Sequence, residues 1–202
     1  MAPSVGLGNQ NSKHMKRIIL INGLIAGVIC GGMFLITIPM YDAGTLNHDY
    51  GALIGYSTMT IALSLIFFGV KSYRDKELNG VISFWKAVKV GLLITLVAGL
   101  IYASSWEITY RRIGDSFMEK MTDRYMEQMK TEGASETAIA AKRAEWQSFN
   151  EMYKSFFVRF PVTVMEITPV GVLLTLLSAA LLRRKTFLPP TEHPATPKTQ
   201  PV

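Results

Sequence analysis

The chain has 202 residues, 49% of them apolar but only 18% charged, too few charges for an ordinary soluble domain of this length. The charges are also segregated: none lies in 18–41, 51–70 or 90–106, and 160–182 carries Glu166 alone. The net charge of +6 comes from Lys and Arg placed beside these intervals, which speaks for anionic lipid and topology and against nucleic acid.

A helix crosses hydrocarbon in about 20 residues. The pattern therefore predicts an all-α, integral membrane four-helix bundle with spans at about 18–40, 52–70, 84–106 and 160–182. A polar stripe, which a soluble bundle would need, is missing from all four. Residues 1–15, polar and rich in Gly, Asn and Ser, read as a disordered extension ahead of a membrane domain at 16–185. The first span is too long for a signal-peptide core, and "FLITIPMYD" offers no small-x-small cleavage site, so it reads as retained. Gly23, Gly27 and Gly31 recur every fourth residue on one face. Such a stripe lets another helix approach closely, as a seam inside the bundle or, less readily, between two copies. Cys30, the sole cysteine, lies mid-span and can form no internal disulfide.

The stretch "YDAGTLNHDYGALIGY" is a short turn. Its Asp42, His48 and Asp49 offer cation ligands, but one histidine without helical ligand spacing favours plain solvated polarity. The second span stops at Lys71, Arg74 and Lys76; Trp85, Lys86 and Lys89 are interfacial anchors of the third. Residues 115–157 have the pattern of a helical hairpin, with Gly133 ending one arm and Ser135 capping the next. Met118 with Met121, and Met126 with Met129, have thioether chemistry suited to Cu(I), but their spacing is also that of a helical core stripe, the better reading. The Pro-rich end, 186–202, reads as a disordered tail. Basic clusters at 13–17, 71–89 and 183–185 alternate with a basic-free first loop. This places both termini in the cytoplasm and the hairpin outside it.

Nucleotide-binding loops, zinc spacings and activated nucleophiles are all missing, so neither enzyme, cofactor nor metal is expected. Two acids invite attention. Glu107 precedes Arg111 by four residues, a sufficient helical ion pair. Glu166 has no basic residue at i±3 or i±4, and a charge within a span is costly. It is expected to face the bundle, protonated or paired with Arg111 or Arg112, beside a carbonyl that Pro169 leaves free. A proton or cation site and a bundle-locking contact fit it equally well.

"LINGLIAGVI", "YDAGTLNHDYGALIGYSTMTIALSLIFFGVKSYRD", "NGVISFWKAVKVGLLITLVAGLIYASSWE" and "MEITPVGVLLTLLSAALLRRK" together resemble domain-of-unknown-function family 4199, four-span membrane proteins of Bacteroidetes. The resemblance covers roughly Met15 to Lys185. It implies a bacterial inner-membrane address with the hairpin in the periplasm, and it carries no activity or site residue. The leading expectation is a non-enzymatic structural or interaction protein contacting the bilayer, itself as a homo-oligomer, or another membrane protein. The alternative is a small oligomeric proton- or cation-coupled transporter or channel using Glu166, with Glu107 and Arg111 as neighbours.

Overall fold

The computed structural model describes residues 5–46 and 48–189. Among them every regular element is an α-helix: α1 (Val5–Gly32), α2 (Phe34–Asp42), α3 (His48–Leu63), α4 (Leu65–Glu77), α5 (Phe84–Thr131), α6 (Glu136–Tyr153) and α7 (Phe156–Leu182). Four stretches are long and apolar enough to cross a bilayer: Ser12–Tyr41, Tyr50–Glu77, Phe84–Gly114 and Phe156–Leu182. The first two are each two helices, divided at Met33 and at Ser64, whose hydroxyl turns back to the Ile61 carbonyl (2.7 Å).

α1 already begins at Val5, inside the segment 1–15. Extending a helix that the span has nucleated costs far less than starting one, so weak formers such as Asn and Ser can follow. His14 meets Glu77 at 3.1 Å, so the start of span one lies beside the end of span two. The tail is non-helical from Arg183 to Pro189, and the rest of it lies outside the described residues. The side chains of Asp42, His48 and Asp49 also lie outside them.

Span three is the axis of the bundle and the most buried of the four. The glycine stripe of α1 packs against it within the same chain. Gly23 sits over Val97, Gly27 over Ile101 and Ala98, and Gly31 over Ser105, each too close to admit a methyl group. On its other flank, α5 meets α7 through matching pentads, Gly91-Leu-Leu-Ile-Thr95 and Gly171-Val-Leu-Leu-Thr175. Gly91 receives Thr175 and Gly171 receives Thr95, so two antiparallel helices interlock reciprocally. Close backbone approach replaces the hydrophobic drive that spans lack. The outer faces stay apolar and exposed, with Leu20, Leu24 and Val28 on α1, Leu92 and Leu96 on α5, and Leu173 and Leu177 on α7. Patches of that extent call for lipid.

On the side where the described ends gather, Arg74 is fully buried. It donates to Asp75 (2.7 Å) and to the carbonyls of Leu182, Phe187 and Leu188, closing off the C-terminus of α7. Trp85, Lys86 and Lys89 are exposed at the same end of span three.

On the opposite side α5 continues past its span, bending at Gly114 (φ 58°, ψ −159°). Gly133 (φ 85°) ends it, with Ala134 N–H bonded to Met129 O and Gly133 N–H to Lys130 O. The Ser135 hydroxyl then accepts from Ala138 N–H and starts α6. The distal half of α5 and α6 are held together by Tyr125 stacked on Trp146 (5.1 Å) and by Arg143 on Asp123 (2.7 Å). Met126 is buried at 3% exposure, a packing position.

The conformation at Gly114 is accessible to glycine almost alone. No heavy atom would crowd a methyl group there, so any penalty is purely backbone strain. Gly114→Ala should therefore lower thermal stability in detergent by about 1–3 kcal/mol. An unchanged melting curve would show that the bend tolerates an ordinary residue.

Candidate functional site

The two acids singled out from sequence have different fates. Glu107, 7% exposed, does not pair with Arg111 but with Arg159, 6% exposed, at the start of α7. The contact is bidentate: Arg159 Nε donates to Oε1 at 2.8 Å and Nη2 to Oε2 at 2.7 Å. Arg159 Nη1 donates to the carbonyls of Tyr153 and Lys154, each at 3.0 Å, closing off the end of α6. Its guanidinium carbon lies 3.9 Å from the centre of the Tyr110 ring. A planar fork can satisfy a carboxylate, two carbonyls and a ring face at once, which an ammonium cannot. Arg111 and Arg112 are both exposed. The i,i+4 pair loses because Arg159, unlike Arg111, reaches Glu107 with two parallel hydrogen bonds away from competing water.

Glu166 is exposed rather than buried, and the Tyr102 hydroxyl donates to its Oε2 at 3.1 Å. Pairing with Arg111 or Arg112 fails on depth. Glu166 is level with Tyr102, nine positions or about 14 Å along α5 from Arg111 at 1.5 Å per residue. Pro169 lies inside α7 without ending it and cannot donate to the Met165 carbonyl.

The carboxylate lines a cavity of about 430 Å³ on the side of the bundle that faces α6. One wall is the stripe Gly51, Gly55 and Met59 of α3, where Gly55 leaves open space and Gly51 makes room for the Tyr41 hydroxyl. The opposite wall is aromatic. Phe34 stacks on Tyr102 (5.1 Å between ring centres) and tilts against Trp106 (4.9 Å), which touches Phe117 (6.1 Å). Met118 and Met121 complete that wall, so this Met-x-x-Met pair is part of an apolar lining. Tyr153 closes the top, and burial pushes its phenol above the ordinary range, keeping it a neutral hydroxyl. The Trp106 indole N–H is buried with no acceptor in hydrogen-bond geometry among the described residues.

Among the described residues lining the cavity Glu166 is the one carboxylate, and no Lys, Arg or His joins it. The cavity does not continue through the bundle. Past Tyr102 and Glu166 the interior is closed by Leu63, Ile66, Ile94, Ala98 and Ile167, each at most 0% exposed. A second cleft of similar size lies between the distal half of α5 and α6. It is lined by surface charges of both signs, including the Asp123–Arg143 pair, and holds no group of unusual chemistry.

A family model matches residues 21–184, most of the chain and all four apolar stretches but for the first turns of the first. The chain belongs to the family described as Protein of unknown function (DUF4199). No curated protein and no solved structure gives a significant match. The family thus adds no site residue, and the cavity stands on its own geometry.

Of the residues named from sequence, Gly23, Gly27 and Gly31 form an intrachain seam, Glu107 is one half of a buried pair, Arg111 is peripheral, and Glu166 lines the cavity. Arg159 was missed as a partner of Glu107, and Tyr102 as the partner of Glu166. A signal for the first did exist. Glu107 and Arg159 sit just beyond the apolar runs of spans three and four, at the same end, where antiparallel helices bring equal depths together.

Removing one partner of a buried pair strands the other charge, at about 3–5 kcal/mol. Glu107→Gln should therefore sharply lower the melting temperature in detergent. Glu107→Leu combined with Arg159→Met should recover part of the loss, and not all of it, because the Tyr153 and Lys154 carbonyls lose their donor. Equal melting of Glu107→Gln and the parent would mean that the pair does not hold the bundle.

Proposed function

We propose that this is a non-enzymatic bacterial inner-membrane protein that takes a cation or proton at Glu166, from a cavity open on one side of the bundle. Of the two roles that sequence left open for Glu166, the bundle-locking one is already filled by Glu107 and Arg159. Glu166 itself contacts one neutral hydroxyl and lines a cavity with no basic residue among its described lining. A carboxylate within a span is expensive to keep, and exchange of a cation is the use that best offsets its cost. The cavity is built within one chain, so binding does not require a second copy. The packed half below Glu166 favours one-sided binding or alternating access over an open channel.

The lysines and arginines at the end opposite α6 support cytoplasmic termini by the positive-inside rule. On that basis 115–157 is a periplasmic helical hairpin, and the cavity lies in the periplasmic half of the bundle.

Two measurements test this reading. In proteoliposomes, a proton or cation flux should be present with the parent protein and lost with Glu166→Gln, while thermal melting stays close to parental. Loss of stability with no flux in the parent would return Glu166 to a structural role. For orientation, the sole native cysteine is buried, so Ala134→Cys adds one accessible thiol. A membrane-impermeant maleimide should label it from the periplasm of permeabilised-outer-membrane cells, and labelling only after lysis would invert the topology.

A further inference from the structure

We propose that the preferred ligand of this cavity is a lipophilic organic cation, with its positive centre at Glu166 and its apolar body against the aromatic wall. The inference rests on the cation-binding reading of Glu166 and goes beyond it in naming the ligand class. A site for a bare metal ion would surround it with several oxygen ligands and little else. Here a single carboxylate is backed by the rings of Phe34, Tyr102 and Trp106 and by the thioethers of Met33 and Met59. Aromatic faces carry negative potential and attract cations, more strongly where water is scarce. Thioethers add a soft, adaptable surface suited to varied apolar shapes.

The volume agrees with the chemistry. About 430 Å³ is the size of a small organic ligand site and far exceeds what a single ion needs. Charge selects the sign: with one acid and no base among the described lining residues, an anion of the same shape meets repulsion. The way in is also suitable, since the cavity lies in the part of the bundle flanked by exposed apolar residues such as Val162, Met165 and Tyr56. A ligand partitioned into the bilayer would arrive already desolvated.

Two residues control the site independently. Glu166 supplies the charge, and Gly55 supplies the room: a methyl group there would meet only Met33 Cε, at 3.7 Å. Gly55→Leu therefore fills the cavity without striking backbone.

The test is equilibrium binding of radiolabelled tetraphenylphosphonium to the full chain in nanodiscs, with empty nanodiscs subtracted and tetraphenylborate as the isosteric anion. The parent should bind the cation saturably, one per chain, and show no saturable binding of the anion. Glu166→Gln should weaken binding about 10- to 100-fold, the loss of one charged partner. Glu166→Asp should retain part of it. Gly55→Leu should abolish it while melting like the parent, which keeps the proposal testable if Glu166→Gln folds poorly. No saturable cation binding by the folded parent, or parental affinity in both Glu166→Gln and Gly55→Leu, would overturn it. If tetraphenylphosphonium is not bound but Glu166 still carries a proton or inorganic-cation flux, the ligand class falls and the function proposed above stands. If neither is seen, both fall.

Discussion

The arrangement of this bundle depends on one buried ion pair. Glu107 closes span three and Arg159 opens span four, and their two parallel hydrogen bonds fix α5 and α7 in depth against each other. The remaining donor of Arg159 holds the end of α6, so one guanidinium ties three helices together. Such a pair contributes little net energy over apolar packing, but it penalises every register that would separate its charges. With depth fixed, Gly91 meets Thr175 and Gly171 meets Thr95. The same register sets Tyr102 opposite Glu166.

The two halves of the bundle are built on different principles. Towards the described ends, small residues and β-branched side chains fill the interior, and Arg74 seals the close of α7 through backbone carbonyls. Towards α6 the packing gives way to aromatic rings and methionines around open space. The cavity persists because α3 brings Gly55 where a larger residue would have filled it. Its carboxylate survives unpaired because the nearby arginines are committed elsewhere or lie too shallow. The locked acid and the open one are thus different residues, Glu107 and Glu166, on neighbouring helices.

Much of this was legible along the chain. The four apolar stretches follow from charge-free intervals of sufficient length, the turn at Gly133 and Ser135 from backbone chemistry, and the glycine seam from a four-residue spacing. These features are local: a span, a cap or a stripe is specified by residues within a few turns. The errors were local readings of longer-range events. Glu107 was assigned to Arg111 because i+4 is the nearest option on one helix, while its partner stands 52 positions away in sequence. Arg74, read as one of a basic cluster, is also an interior cap, since such a cluster does not reveal which of its members turns inward.

By itself, then, the sequence determined an all-α chain with four helices able to cross a bilayer, their approximate limits, and the two carboxylates worth following. Hydrophobic length and charge placement suffice for these, because the bilayer imposes the same thickness on every span. Tertiary structure alone decided which carboxylate is locked and which is left open to a cavity. Ion-pair partners and empty space both depend on the relative depth of helices far apart in the chain, and no local pattern encodes that depth.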